Sequence, residues 1–393
     1  MKPQKNNKHK TDHLDEMGSA ALTINTYDIK NHREFTYAEK NENWYRADML
    51  SSMHRSVHLL GEVKNTYFCK KKVGDELWAV SYANDAAKHF IESISAPLQL
   101  LRQQYKNHDL SPIFEAFECV SRRIPTNWLD CIKTTHPSIS IDKVLRRLNV
   151  AARSLCARLG SASNKRKYSD FRRNAQKRFH SIINYFHTCM RKRSNLTVIR
   201  IDLHLNNVDP GSSEGIKAIT EEQLRSIQSM RDAFLKHTKA TLKSGLIGYL
   251  DKFEVGLSRG IHIHFIALLD AAIHQRDVTI AKLLGEEWKK KITSGRGNYF
   301  NCNARKDIYK YRAIGKISAN DPNAIIGLRL IAAYLSLGEL YAKAKFPTLF
   351  RSLRKGLAPQ PANSRGGRPS SHLTEFDIRS LDIRSITRGI KFI

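Results

Sequence analysis

The segment KFEVGLSRGIHIHFIALLD, Lys252–Asp270, decides the fold. Ile261, Ile263 and Phe265 alternate with His262, His264 and Ile266, the period of a strand buried on one face and used on the other. Residues two apart in a strand point the same way, so His262 and His264 aim at one spot; on a helix they would diverge by about 200°. Upstream, LIGYLDKFEV reads as a second strand, and GLSRG (256–260) as a short hairpin loop bounded by glycines. If Val255 pairs with Ile261, Glu254 lies opposite His262 on the same face. Two imidazoles and a carboxylate there would make an incomplete metal site, with positions open for water or a phosphate oxygen. A slip of one residue would carry Glu254 to the wrong face, so the carboxylate depends on the register more than the histidines do.

Working outward, the strand NLTVIRIDLHL starts just after Ser194, with Val198, Arg200, Asp202 and His204 on one face and Ile199, Ile201, Leu203 and Leu205 on the other. Asp202 and His204 are either partners that orient ligating imidazoles or ordinary sheet-surface residues, and the second reading suits His204 better. After a loop, Thr220 to Gln223 spells a capping box, with Ile219 and Leu224 placed as a hydrophobic staple and Gly245 as the helix stop. Beyond the hairpin, Asp277 is placed to cap a helix carrying Ile280, Leu284 and Trp288. TSGRGNYFNCNAR (293–305) follows as a basic, glycine-rich turn running into a short strand. Arg296 in that turn is a candidate phosphate contact, since glycine lets backbone approach closely. Asp321 and Pro322 then open a long helix, NAIIGLRLIAAYLSLGELYAKAKF. The order predicts an α+β domain over 194–356: a central, mainly antiparallel sheet of about five strands with flanking helices.

The rest of the chain is read as a basic disordered arm (1–30), a mostly helical accessory domain (31–193) and a basic, Pro/Gly/Ser-rich tail (357–393), largely disordered. In the accessory domain, IDKVLRRLNVAARSLCARLG puts Val144, Leu148, Ala152 and Leu155 on one stripe. KYSDFRRNAQKRFHSIINYF sets Phe171, Phe179 and Phe186 against a basic face of Arg172, Arg173, Lys177 and Arg178. That face is a candidate to track phosphates. Net charge is +29, from 66 Lys+Arg against 37 Asp+Glu, an excess that points to a polyanion, nucleic acid before an anionic membrane. Six cysteines without a CxxC pair argue against a zinc ribbon or a disulfide framework and fit a reducing cytoplasm. Neither a membrane-spanning apolar run nor a signal-peptide pattern is read.

Tyr334 and Tyr341, seven residues apart, are expected to share a helix face, with Lys343 and Lys345 close behind. Tyrosine is an available nucleophile whose phenol, with a pKa near 10, needs activation. A His-hydrophobe-His strand followed about seventy residues later by a tyrosine helix resembles the HUH endonuclease superfamily of rolling-circle initiators and relaxases. More closely, 194–356 resembles the inovirus-type replication initiators of filamentous phages and related prophages. The matching pieces are RIDLHL, FEVGLSRGIHIHFIALL, the downstream EEW, SGRGNYFNCN, and YLSLGELYAKAKF followed by RSLRKG.

The resemblance implies a divalent metal, Mg or Mn, held by His262 and His264 with Glu254 as third ligand. It implies attack by Tyr334 on single-stranded or stem-loop origin DNA in the cytoplasm of a bacterial host cell. The products would be a 5′-phosphotyrosyl link and a 3′-OH for a host polymerase, with a helicase as a further partner. The family's Tyr-x-x-Lys pattern is broken, because Leu337 stands where that lysine would be. Lys343 or Lys345 would then substitute, or Tyr341 would be the main nucleophile, or activity has decayed. The alternatives to a nicking enzyme are a catalytically decayed DNA-binding protein and a metal-dependent phosphoesterase without a covalent step.

Overall fold

A computed structural model describes residues 27–31, 36–40, 42–63, 66–75, 77–132, 134, 139–205, 219–256, 260–309, 311–360 and 377–379. In chain order the first part holds β1 (Tyr27–Asn31), β2 (Thr36–Lys40), α1 (Glu42–Glu62), β3 (Phe68–Lys72), β4 (Trp78–Tyr82), α2 (Asp85–Ile94) and α3 (Leu98–Gln104). β5 (His108–Leu110), α4 (Pro112–Ser121), α5 (Thr126–Leu129), α6 (Ile141–Gly160) and α7 (Ala162–Lys192) complete it. Then come β6 (Asn195–Leu205), α8 (Glu221–Leu242), β7 (Leu246–Gly256), β8 (Gly260–Asp270), α9 (Asp277–Glu287) and β9 (Gly297–Asn301). The last elements are β10 (Gly315–Ser318), α10 (Pro322–Ser336), β11 (Ala342–Ala344) and β12 (Leu353–Lys355).

These elements form two compact units. Of the described residues, the accessory unit takes those of 22–174 and 339–343, and the sheet unit those of 175–338 and 344 onward. The division falls inside α7 rather than at Ser194, where the composition changes.

The accessory unit contains two antiparallel hairpins, β1–β2 and β3–β4, and of these β2, β3 and β4 fall where helix was expected. In β3 only Phe68 is buried and Cys69, Lys70, Lys71 and Lys72 are all exposed, so no period-two alternation announces the strand. Residues 27–30 of the expected disordered arm belong to β1; the arm before them lies outside the described residues. Most of the tail does too. Within what is described, Ile378 is buried and its carbonyl accepts from Arg329 Nη1 at 2.6 Å, so this point of the tail is fixed to the fold.

The sheet unit is α+β. Its six-stranded sheet runs β10–β6–β8–β7–β12, with β9 also paired to β6, and the pairings are antiparallel. The hairpin register is the one the alternation requires: Val255 opposes Ile261 and Glu254 opposes His262. On the far side of β8, Asp202 opposes His264 and His204 opposes His262. The hairpin's loop residues 257–259 lie outside the described residues.

One sheet face is the core. Ile199, Ile201, Leu203, Phe253, Val255, Ile263 and Phe265 pack with Leu224, Ile227, Phe234 and Leu242 of α8, Ala281 and Leu284 of α9, and Trp288. Phe234 meets Phe265 edge-on at 4.9 Å between ring centres. Each such side chain contributes about 1.5–3 kcal/mol by leaving water. The capping box of Thr220 and Gln223 forms as its residues dictate. Asp277 does not cap α9; its carboxylate accepts from Asn303 Nδ2 at 3.0 Å and from Lys306 Nζ at 2.9 Å.

α10 covers part of the opposite face. Asp321 caps it, accepting from the Asn323 amide at 2.9 Å, and Pro322 fills its first turn. At Gly327 an added Cβ would stand 2.3 Å from the Tyr311 carbonyl oxygen, so glycine sets how closely the helix seats. The helix ends at Ser336 and a 3₁₀ turn, Leu337–Leu340, replaces the expected continuation through Phe346. By length and composition Pro322–Leu340 could cross a membrane, unlike the sequence expectation, but 67% of that window is buried inside the protein, as in a core helix.

Candidate metal centre

The face of the sheet away from the aromatic core carries Arg200, Asp202 and His204 on β6, Glu254 on β7, and His262 and His264 on β8. Strand pairing brings them together: Asp202 faces His264, His204 and Glu254 face His262 from either side, and Arg200 lies two residues along β6 from Asp202. Glu254 Oε2 lies 3.2 Å from His264 Nε2 and 3.5 Å from His262 Nε2, and the three ligand atoms fall within 4.8 Å of one another. Ions with ligand bonds of about 2.0–2.2 Å hold neighbouring donors roughly 3–3.5 Å apart, so the donor set fits a divalent cation.

His264 is 2% exposed. Its Nδ1–H donates to Asp202 Oδ1 at 2.7 Å, which turns Nε2 toward Glu254. A carboxylate on the far nitrogen fixes the tautomer and orients the ring. Asp202 is itself held by Arg200, whose Nε stands 3.4 Å from Oδ1. His204 stacks beside His262 at 5.8 Å between ring centres and lies outside the three-ligand cluster.

Electrostatics follow from burial and charge. Burial alone would lower the His264 pKa, yet the carboxylates of Asp202 and Glu254 outweigh it and raise it to about 9. Burial would raise Asp202, but Arg200 and His264 together hold it far below the usual carboxylate range. Glu254 is likewise held low by His264 and His262 against its desolvation.

Three outcomes are expected. A metal needs the neutral imidazole, so at pH 7.5 each ion bound should release about one proton. Calorimetry in two buffers of different ionisation enthalpy measures it, and the release should fade as the pH passes about 9. In the metal-free protein, the stability contributed by charged His264 is complete below about pH 6.5 and is lost as pH rises through about 9. Separately, Asp202→Asn should weaken Mn binding about 10- to 100-fold. Competition against a fluorescent chelator reads this, and an unchanged affinity would remove Asp202 from the site.

Tyr334 reaches the cluster from α10. Its hydroxyl oxygen lies 3.3 Å from His264 Nε2, within hydrogen-bond distance, and the two rings meet at 5.0 Å between centres. The Arg200 guanidinium lies over the phenol ring, 4.5 Å from its centre. Burial pushes the phenol pKa well above its ordinary value, and of the groups around it Arg200 opposes that rise. No sequence signal marks the meeting of Arg200 with Tyr334, because they are 134 positions apart and the two form no spaced motif.

Other expected site residues lie elsewhere. Tyr341 is not on the helix: it is 1% exposed in the accessory unit, its ring 4.5 Å from that of His54 and its carbonyl accepting from the Ser111 amide at 3.0 Å. Lys343 also belongs to the accessory unit, and Lys345 is exposed just after β11. Leu337, at the expected lysine position, is fully buried. Arg172 is buried and stacked over Tyr168 at 4.9 Å, so it does not line the basic face of α7. Arg173 is exposed and pairs with Asp170 at 2.5 Å; Lys177 is exposed. Arg296 is exposed, with its Nε donating to the Thr293 carbonyl at 3.3 Å.

Comparison of the chain with protein-family models, with curated proteins and with solved structures gives no match.

Proposed function

We propose that the sheet unit is a metal-dependent nicking and joining enzyme acting on single-stranded DNA through a phosphotyrosine intermediate, in the manner of the HUH rolling-circle initiators it resembles. The observation that carries this reading is the placement of the Tyr334 hydroxyl 3.3 Å from His264 Nε2, at the edge of a His–His–Glu cluster. A divalent ion, Mg or Mn by the hard-oxygen chemistry of phosphate, would supply Lewis-acid polarisation of the scissile phosphate when held by His262, His264 and Glu254.

The chain's own groups account for the rest. Asp202 holds His264 in one tautomer, and the Arg200–Asp202 pair keeps a guanidinium over the phenol ring. That guanidinium stands against the cost of forming a buried phenolate, a task the resemblance assigns to a lysine near position 337. The Tyr334 oxygen bonds to phosphorus, the P–O3′ bond breaks, the phenol gives up its proton and the departing 3′-oxygen takes one up. The phosphotyrosyl bond conserves the energy of the phosphodiester, so a 3′-OH can reverse the step and rejoin a strand. The net charge of +29 suits a polyanionic substrate.

The test is incubation with Mn and single-stranded or stem-loop oligonucleotides, followed by denaturing electrophoresis and peptide mapping. A DNA adduct on Tyr334 supports the reading. Hydrolysis without an adduct makes the protein a phosphoesterase, and metal-independent binding without cleavage makes it a DNA-binding descendant.

A further inference from the structure

The accessory unit carries a charged surface with no part in the chemistry above. α6 buries Val144, Leu148, Ala152 and Leu155 completely and presents Lys143, Arg146, Arg147, Arg153 and Arg158 to solvent. At about 100° per residue these five cations fall within an arc of about 140°, in a row along a helix about 30 Å long. Between them stand only Val150, Ser154 and Ala157, which are exposed and short. The helix's one carboxylate, Asp142, is paired with Lys70 of β3 at 2.5 Å. Asn149 fixes that hairpin to the helix: its Oδ1 accepts from the Tyr67 and Phe68 amides at 3.0 and 3.1 Å. Its Nδ2 donates to the Phe68 carbonyl at 3.1 Å. Exposed Lys71 and Lys72 thereby join the same unit's basic surface.

We infer that the exposed face of α6 docks on double-stranded DNA. Five cations in a row, separated by small side chains, present a positive ridge to a duplex's phosphates, and a single helix fits the width of a major groove. A single strand would be met by aromatic side chains that stack on bases, and the exposed face of α6 has none. An anionic membrane would need the apolar face of the helix, and that face is the unit's core. Duplex docking is a task separate from the single-strand cutting proposed for the other unit, and it rests on no residue of the metal centre.

The test is fluorescence anisotropy of the full-length protein with a 20-base-pair duplex, a single strand of equal length, and phosphatidylserine-containing vesicles. It compares the wild type with Arg146→Ala/Arg147→Ala/Arg153→Ala. All three side chains are exposed, so the unfolding transition should be unchanged. A second set, Lys71→Ala/Lys72→Ala/Lys143→Ala, repeats the comparison independently. The expected result is duplex affinity lower by on the order of 10- to 100-fold in low salt, with the slope of log K against log salt shallower by about 2–3. Mn affinity and any adduct on a single-stranded oligonucleotide should be retained. Equal duplex binding and slope in both variant sets would overturn the inference. So would losses confined to vesicles, which would make the face a membrane contact, or equal losses for duplex and single strand. Absence of any adduct with wild type would bear on the nicking proposal alone.

Discussion

Tyr334→Phe is expected to abolish the covalent protein–DNA adduct and lower strand cleavage by on the order of 10³-fold or more, whereas Tyr341→Phe leaves both near wild type. Removing one oxygen from Tyr334 takes away the nucleophile but keeps the ring between His264 and Arg200, so packing is preserved. Of the cluster's polar interactions among the described residues, the substitution removes the hydrogen bond between the hydroxyl and Nε2 and leaves the others in place. Mn affinity should therefore change little. A purely structural role for the ring would not give this split, in which chemistry disappears while metal binding stays. An adduct that survives Tyr334→Phe and disappears with Tyr341→Phe would reassign the nucleophile to the accessory unit.

The largest stability effect is expected at Arg231, on α8, and not at the metal centre. Arg231 and Asp251 are 2% exposed each, and their charged groups touch directly. Burial lowers the Arg231 pKa to about 10 and raises that of Asp251, so for each partner desolvation outweighs the attraction of the other. Such a pair contributes little net stability but is costly to break. Arg231→Met strands a buried carboxylate, deprives the Arg351 carbonyl of the guanidinium's hydrogen bond and leaves the Ser352 carbonyl with the Phe253 amide as donor. The cost should be about 3–5 kcal/mol, measured by urea unfolding. Arg354, 3.4 Å from Asp251 and paired also with Asp232, offsets part of it. Arg231→Met/Asp251→Leu should recover most of the loss. A double variant no more stable than Arg231→Met would show that the guanidinium's bonds to the carbonyls matter more than the charge pair.

The hairpin was legible because its signal is local and repeated. Period-two alternation across Glu254–Val255 and Ile261–Phe265 fixes both which residues face together and how the strands align, and the pairing of Glu254 with His262 follows. The capping box and Pro322 were legible for the same reason: the chemistry that starts a helix lies within four residues. What was not legible depends on distant partners. Arg172 reads as one more cation on a basic stripe until Tyr168 is seen to cover it, and Asp277 reads as a cap until Asn303 and Lys306 claim its oxygens. Tyr341 lies seven residues from Tyr334, which would align them on a continuous helix; nothing in LSLGEL says that the helix tightens to a 3₁₀ turn after Ser336. The β3 strand was hidden because a ribbon wet on both sides has no hydrophobic alternation to display.

The path of the chain between the two units limits how the protein can be dissected. It leaves the sheet unit after Gly338, lends residues 339–343 to the accessory unit, and returns at Ala344. A fragment beginning at residue 175 would carry Leu340 and Tyr341, fully or almost fully shielded in the intact molecule, with their own unit missing. A fragment ending at residue 174 would lack the five residues that complete its fold. No single scission yields two whole halves, so fragments made for biochemistry should aggregate. Point substitutions in the intact chain are the sounder way to apportion its activities.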